Sequence, residues 1–415
     1  MRNGCLWALA AWLLAAGPLG AQIFPIPPAP RDYAEPTYPA NASPIHAVIE
    51  PPQGSLGDAS HVWTQFEYLR GWVREETLRL PLVTSGDPKN KVPGAIGQAG
   101  TTVLVGNEHL GYRSASGARL GFGGWVDPEN CLGIEASGYL MEGRANNIPN
   151  VSDAAGNPLQ ATPFFNQTPG SIGESANILS NPGKVSGDIL VGVSMHHWGT
   201  DMNGLFCLYR QPGIELSLLA GMRYDDLQEG LRILQHSLTL ANNTNTTFDD
   251  HFDTRNQFYG AQLGGRLIWQ RDVLILEMTG KIALGTLHQV VDIQGDSSQF
   301  GPKATPTGSA TGGFFAQPSN IGRTSANPFA ALPSMQAKLG YQITPCLRAF
   351  LGYDMMYLNE VVRPANQIDR NINLTQSAIL GATKGVLKGA ALPAPHFQRT
   401  SFWAQDVSFG FELRF

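Results

Sequence analysis

The sequence is poor in charged residues and lacks long apolar runs. Charged residues make up 15% of its 415 residues, against about 25% in ordinary soluble domains. No stretch beyond the N-terminus has about 18 consecutive apolar residues, so no transmembrane helix is expected. The net charge is −5 and no basic run stands out, so the sequence predicts no nucleic-acid partner.

Cysteine is also scarce, with four residues in the whole chain. Cys131, Cys207 and Cys346 are isolated, odd in number and lack CxxC spacing, so neither a disulfide framework nor a zinc site is expected. The sequence contains no GxSxG, no HExxH and no phosphate-binding glycine loop. We therefore expect no cofactor.

The chain is instead rich in glycine, with 47 residues, and in alternating apolar segments. Its mean hydropathy of −0.12 is too polar for a helical membrane protein but normal for a β-barrel, where half of each strand faces water. The clearest segment runs from Phe402 to Phe415. One face carries Trp403, Val407, Phe409, Phe411, Leu413 and Phe415, with Gln405 as the exception.

This segment resembles the C-terminal signal of outer-membrane β-barrels, in which the last strand closes the barrel and binds the insertion machinery. The expected partners are therefore outer-membrane lipid and that machinery, contacted through the strand ending at Phe415. A buried terminal strand of a soluble β protein is the alternative. The oligomeric state is not predicted.

The N-terminus predicts export. Residues 1–21 resemble a signal peptide, with Arg2 before the apolar run Cys5–Ala16 and a plausible cleavage site after Ala21. Residues 22–60 are Pro-rich and are expected to form an extended periplasmic lead-in. Residues 61–415 are expected to form the barrel, in the outer membrane of a Gram-negative cell.

Short and long connections alternate between the predicted strands. Short turns are expected near residues 127–130, 211–213, 270–272 and 344–346, and long loops near 74–117, 142–184, 241–253, 292–333 and 361–400. Outer-membrane barrels have short periplasmic turns and long extracellular loops. The fold class is therefore all-β, a transmembrane antiparallel up-and-down barrel of about ten strands. Twelve strands are possible if 185–210 and 213–240 each divide into a hairpin.

Several motifs in order resemble the putative beta-barrel porin-7 family of bacterial outer-membrane proteins. They include Leu80-Pro81-Leu82-Val83-Thr84-Ser85, the glycine-rich 94–104, Gly121–Trp125 with Leu132–Gly138, Leu218–Tyr224, and more weakly Gly340–Pro345. The resemblance covers most of the chain from His61 to Phe415. It implies an outer-membrane barrel with porin-like passage of small solutes or a structural role, and it supplies no catalytic residues.

Charged residues opposite the apolar faces are predicted to line the lumen. The candidates are Glu135, Glu215, Arg223, Arg266, Glu277, Lys281, Lys338, Arg348, Asp354, Asp406, Glu412 and Arg414. Such charges either line a water path and set its ion preference or pair with one another and close it. About eight strands give a filled barrel and 16 to 18 an open channel, so ten strands leave both outcomes open.

The alternative from another class is an outer-membrane hydrolase with its site in the extracellular loops. Asp249, Asp250 and His251 fall in a predicted loop, and Asp225 with Asp226 near its rim; carboxylates beside a histidine can activate water. A solvated polar loop explains the same residues, so we expect no enzyme and no catalytic residue. His196 and His197 cannot easily share a metal because adjacent strand residues face opposite sides. Surface adhesion through the long loops is a third possibility.

Overall fold

The chain forms eighteen strands within the residues described by the computed structural model, 61–302, 308–381 and 385–415. The predicted signal peptide and the Pro-rich lead-in lie outside these ranges. The strands are, in chain order, β1 (Val62–Val73), β2 (Glu76–Ser85), β3 (Thr102–Leu110), β4 (Ala115–Trp125), β5 (Leu132–Met141), β6 (Arg144–Val151), β7 (Gln160–Asn166), β8 (Gly173–Ser180), β9 (Val185–Gln211), β10 (Ile214–Thr239), β11 (Thr244–Arg271), β12 (Leu274–Phe300), β13 (Gly308–Thr311), β14 (Gly322–Ala326), β15 (Phe329–Thr344), β16 (Leu347–Val362), β17 (Asn371–Ile372) and β18 (Arg399–Arg414).

Ten of these strands close into an antiparallel ring. Its order is β1-β4-β5-β9-β10-β11-β12-β15-β16-β18, and β18 pairs back onto β1. Each neighbour in the ring is also the next barrel strand in the chain, which is up-and-down topology. The ten-strand prediction is confirmed. Residues 185–211 and 214–239 each form one strand, which removes the twelve-strand alternative.

Four tight turns join barrel strands at one end, which we call the turn end. Between β4 and β5 the Asp127 carboxylate accepts the Cys131 and Leu132 amides at 2.9 and 2.7 Å, which closes the turn. The β9–β10 turn uses Pro212 and Gly213, where Gly213 has φ +82, a backbone conformation that glycine adopts at no steric cost. The other two turns join β11 to β12 and β15 to β16.

The outer surface near the turn end carries an apolar band between two levels of aromatic side chains. Exposed aromatics at the upper level are Trp72, Trp198, Tyr259, Phe329 and Tyr357, and those at the lower level are Tyr209, Trp269, Tyr341 and Phe415. On β11 the two levels are Tyr259 and Trp269. Ten residues at a 45° tilt rise roughly 23 Å, close to the ~25 Å apolar band of outer-membrane barrels. Among the described residues, no helix has the length and apolarity to cross a membrane.

Four strands extend far beyond the upper aromatic level. Strands β9 to β12 have 26 to 28 residues, whereas a tilted strand crosses a bilayer in about 9–11. A second, five-stranded sheet consists of β2, β3, β7, β8 and β17, which lie in chain segments that join barrel strands at the end opposite the tight turns. We call this sheet the cap. The predicted long loops at 74–117, 142–184 and 361–400 therefore hold regular structure.

The cap covers an apolar core inside the long strands. Cap side chains such as Leu82 and Phe164 are at most 2% exposed and belong to one buried cluster with Phe252, Leu287 and Phe315. Burying an aromatic or aliphatic side chain of this kind contributes roughly 1.5–3 kcal/mol. The barrel interior above the aromatic level is thus packed mainly by apolar side chains.

The apolar alternation shifts by one residue along each long strand. On β10 the even positions Leu216 to Tyr224 are apolar and face outward, whereas Leu227, Leu231 and Ile233 are apolar and face inward. On β11 the shift falls between Tyr259, which faces outward, and Phe258, which is fully buried. Because the outer surface meets hydrocarbon below this level and water above it, the apolar positions exchange faces there.

This shift explains why two predicted loops are wrong. Residues 244–253 and 292–300 belong to β11 and β12 rather than to loops. Their outward side chains are polar because they lie above the membrane, so the outward-apolar pattern of the band stops although the strand continues. The actual turn lies between Thr239 and Thr244.

Asp250 fixes a loop onto this upper interior. Its side chain is fully buried, and one carboxylate oxygen accepts the Phe315 and Ala316 amides at 3.0 and 2.7 Å. Burial raises the pKa of Asp250 to about 7, although these amides oppose the shift. The loop at 312–321, which carries Phe314 and Phe315 into the core, is thereby held against β11.

The raised pKa predicts a pH dependence of stability. Since the folded pKa of about 7 exceeds the reference value of 3.8, the stability contributed by protonated Asp250 is complete below about pH 4 and lost as pH rises to about 7. The change is at most roughly 4 kcal/mol. We expect the free energy of unfolding in urea and lipid vesicles to fall over this range.

The matched variant is Asp250→Asn, which keeps an acceptor oxygen and cannot titrate. Its unfolding free energy should vary less with pH than that of the wild-type protein. The comparison is needed because burial also raises the pKa of Glu76. Equal pH slopes in the two proteins would contradict the assignment to Asp250.

Candidate functional site

The lumen within the apolar band is the candidate functional site. All twelve predicted candidates lie on interior-facing positions of barrel strands. Each belongs to the every-second-residue series of its strand that also contains the buried side chains. They are Glu135, Glu215, Arg223, Arg266, Glu277, Lys281, Lys338, Arg348, Asp354, Asp406, Glu412 and Arg414. How these charges pair decides whether the lumen is open to ions.

The charges near the turn end form a connected network. The Arg348 guanidinium lies 2.6 Å from Glu412, and Arg414 lies 2.5 Å from the same carboxylate. Arg266 on β11 reaches Glu135 on β5 at 2.8 Å, although β9 and β10 separate these strands in the ring. This ion pair therefore crosses the lumen.

A second cluster crosses the middle of the lumen. Glu67 on β1 is 1% exposed and lies 2.8 Å from the Lys338 ammonium on β15 and 3.0 Å from the Arg119 guanidinium on β4. Arg119 also donates to Asp354 on β16 at 3.0 Å. Lys281 on β12 pairs with Asp201 on β9, which adds a further bridge between opposite walls.

A third cluster lies where the polar lumen meets the apolar core. Asp225 accepts from the Tyr139 hydroxyl at 2.6 Å and lies 2.8 Å from His197 Nε2. The Arg223 guanidinium completes the group at 3.2 Å from Asp225. The His197 ring packs edge-on against Phe402 of the apolar core, with centroids 5.5 Å apart. Each basic side chain named in these three clusters contacts at least one carboxylate.

The remaining space between the clusters is small. One cavity of about 130 Å³ is lined by residues of the three clusters, among them Glu67, Arg119 and Asp201. This volume is comparable with the ~150 Å³ of a cavity that holds one benzene-sized molecule. Near the turn end the Trp63 and Trp125 rings meet with centroids 5.6 Å apart.

Sequence reasoning missed several lumen residues. Glu67, Arg119, Asp201 and Asp225 take part in the network but were not among the candidates. The signal was present for Glu67, because it alternates with Phe66 and Tyr68 on β1. Asp225 could not be assigned to the lumen from the sequence because it adjoins the shift in alternation.

The residues of the hydrolase alternative do not converge. Asp249 and His251 lie 3.1 Å apart on the outer face of β11, where Arg232 lies 2.6 Å from Asp249. Asp250 faces the interior and holds the 312–321 loop. His197 is buried in the lumen and His196 lies on the outer face, as their adjacent positions predict. In the described ranges no group of three His, Cys, Asp or Glu side chains is placed to hold a metal ion.

A closed ring with an outward apolar band, aromatic levels and an inward charge network defines an outer-membrane β-barrel protein. The chain belongs to the family described as putative beta barrel porin-7 (BBP7), whose model matches residues 63–415. This confirms the family resemblance seen in the sequence. With the family and fold established, the turn end is periplasmic and the cap extracellular.

Three solved structures match the chain at low sequence identity. The Escherichia coli outer membrane protease OmpT is 10% identical, with 87% of this chain and 98% of OmpT covered and a TM-score of 0.40. A Pseudomonas aeruginosa FadL homologue is 9% identical over 86% and 90% of the chains, with a TM-score of 0.23. The Pseudomonas putida toluene transporter TodX is 8% identical over 86% and 91%, with a TM-score of 0.18. No curated protein matches the chain significantly.

The mid-lumen cluster predicts a large cost for removing Glu67. In Glu67→Gln the buried Arg119 and Lys338 lose a shared carboxylate, and breaking a buried ion pair costs about 3–5 kcal/mol. Urea unfolding in lipid vesicles measures this loss. Glu142→Gln is the control, because its pair with Arg144 is exposed and contributes about 1 kcal/mol or less. Similar losses in the two variants would contradict the proposed importance of the lumen network.

Proposed function

We propose that this protein is a closed outer-membrane barrel that anchors a rigid β-structured cap at the cell surface. The core inside the extracellular half of β9–β12 carries the proposal, because closely packed and mostly apolar side chains there block a water path from the lumen to the outside. The cross-lumen ion pairs support the same conclusion. Passage of small solutes through this barrel would require the cap to move.

A buried arginine holds the cap to the barrel wall. Arg363 is 2% exposed and lies 2.9 Å from Glu76 of β2 and 2.6 Å from Glu229 of β10. It also donates to the carbonyl oxygens of Arg74 and Glu75 at 3.0 and 2.8 Å. The Tyr112 hydroxyl donates to Glu229 at 2.9 Å. One guanidinium thus joins the wall, the cap and the 363–398 segment.

We also propose that the protein has no catalytic activity of its own. The hydrolase alternative needs Asp250 beside His251, and these side chains lie on opposite faces of β11. Asp249 is engaged by Arg232, as expected for a solvated surface pair. The lipid-facing band and the closing strand β18 support outer-membrane lipid and the insertion machinery as partners.

The closed barrel predicts that the protein does not conduct ions across planar lipid bilayers. Purified wild-type protein should give no stable single-channel conductance, because the apolar core interrupts the water path. Arg363→Ala leaves Glu76 and Glu229 buried without their shared cation, so undocking of the cap should produce conductance steps.

The control is Arg323→Ala, which removes an exposed guanidinium from β14 and should remain silent. Stable conductance from the wild-type protein would overturn the closed-barrel proposal. A silent Arg363→Ala with intact barrel structure by circular dichroism would show that Arg363 does not hold the cap shut.

The proposed contact with the insertion machinery predicts different effects for two aromatics of β18. Phe415 exchanges backbone hydrogen bonds with Val62 at 3.2 and 2.8 Å, and these bonds survive in Phe415→Ala. We expect Phe415→Ala to slow machinery-assisted insertion into vesicles several-fold and Phe409→Ala to slow it less. Folding into detergent without the machinery is the control measurement. Equal insertion rates for the two variants would contradict the role of Phe415.

A further inference from the structure

Two cysteines that are distant in sequence meet at the periplasmic mouth of the lumen. Strands β5 and β9 pair with Leu132 opposite Phe206, so Cys131 lies directly opposite Cys207. The Cys207 amide donates to the Cys131 carbonyl oxygen at 2.8 Å, which extends the ladder to this position. Both cysteines are free thiols in this structure.

The geometry at this pair suits a covalent bond. Directly opposite residues of an antiparallel pair have Cα atoms about 4.5–5.5 Å apart, within the roughly 4.4–6.8 Å that disulfides span. Directly opposite side chains also point to the same face. The Cys131 thiol is also among the groups that interact with the Cys207 thiol. No backbone movement is therefore needed to bring the sulfur atoms together.

The surrounding turn holds the pair in place. Asp127 accepts the Cys131 amide at 2.9 Å, and the Arg210 guanidinium donates to the carbonyl oxygens of Glu129 and Asn130 at 3.1 and 2.7 Å. Both cysteine positions are thus fixed by their own neighbours. Cys131 is exposed, so an external oxidant can reach it from the periplasmic side.

We propose that Cys131 and Cys207 form a disulfide bond after export. The oxidant is a protein disulfide of the periplasm, a compartment in which disulfides form and persist. The Cys131 thiolate attacks that disulfide, forming a mixed disulfide and releasing one oxidant thiol. The Cys207 thiolate then attacks the Cys131 sulfur and releases the second thiol. Two protein thiols are oxidised, one oxidant disulfide is reduced to a dithiol, and the two protons pass to it.

The bond would join two strands that share no periplasmic turn. β5 and β9 are connected in sequence through β6, which pairs with β9, and through the cap strands β7 and β8. A bond between residues 131 and 207 closes a loop that contains β6, β7 and β8, and closing a loop of this length restricts the unfolded chain. The inference concerns barrel stability and does not depend on whether the lumen conducts.

Alkylation and peptide mapping of the exported full-length protein test the bond. Outer membranes are denatured in N-ethylmaleimide without reductant, digested and analysed by mass spectrometry. We expect a peptide linking Cys131 to Cys207, two hydrogens lighter than its separate thiol peptides and lost on reduction. Alkylation of both cysteines in the unreduced protein, or a link from either to Cys346, would overturn the proposal.

Thermal melting of the folded barrel in detergent distinguishes a disulfide bond from mere side-chain packing between the two cysteines. Cys131→Ser, Cys207→Ser and the double variant should each lower the melting temperature by the same amount, about 5 °C, because each removes one bond. Because Cys346 is also disulfide-bonded in this structure, reduction can act on all four proteins, and it should lower the wild-type melting temperature by about 5 °C more than it lowers those of the variants. Additive effects of the two single substitutions, or a wild-type value insensitive to reduction, would show that no bond joins them.

Discussion

The structure depends on an exchange of environments along β9 to β12. Below the upper aromatic level, lipid lies outside these strands and charged side chains lie inside. Above that level, water lies outside and mostly apolar side chains lie inside. A strand offers two faces with a fixed period of two, so this exchange requires the apolar positions to shift by one residue. On β11 the shift occurs between Phe258 and Tyr259, and on the other long strands at the same level. It fixes where the membrane ends and where the cap core begins.

Charge inside the lower half of the barrel follows from the same arrangement. Side chains such as Glu67 and Arg348 are buried, and a buried charge is tolerated only when it is paired. Some partners come from the neighbouring strand, as Glu412 does for Arg348, and others from a strand further round the ring, as Lys338 does for Glu67. Together these charged side chains occupy the space that a solute would use. Apolar residues of similar volume could fill the same space at comparable stability. Because ion pairs fill this space instead, the interior is polar within the membrane and mostly apolar above it.

Much of the barrel could be predicted from the sequence because its signals are local. The short turns at 211–213 and 270–272, the outward aromatics of β18 and the inward charges such as Glu277 each depend on a few adjacent residues. The cap could not be predicted, because β2 and β7 acquire partners from remote parts of the chain. The upper half of β11 was mistaken for a loop because its apolar face had changed sides. The contact of Cys131 with Cys207 follows only from the register of β5 on β9.

The Arg363 junction has a consequence for the order of assembly. Its carboxylate partners come from β2 near the start of the described chain and from β10 near the middle, while Arg363 itself follows β16. No two of these segments are close in sequence, and their mutual contact exists only once the wall around them has closed. The junction itself must therefore form after the barrel strands around it have paired. Until then Arg363, Glu76 and Glu229 lack the partners that neutralise their charges in the folded protein.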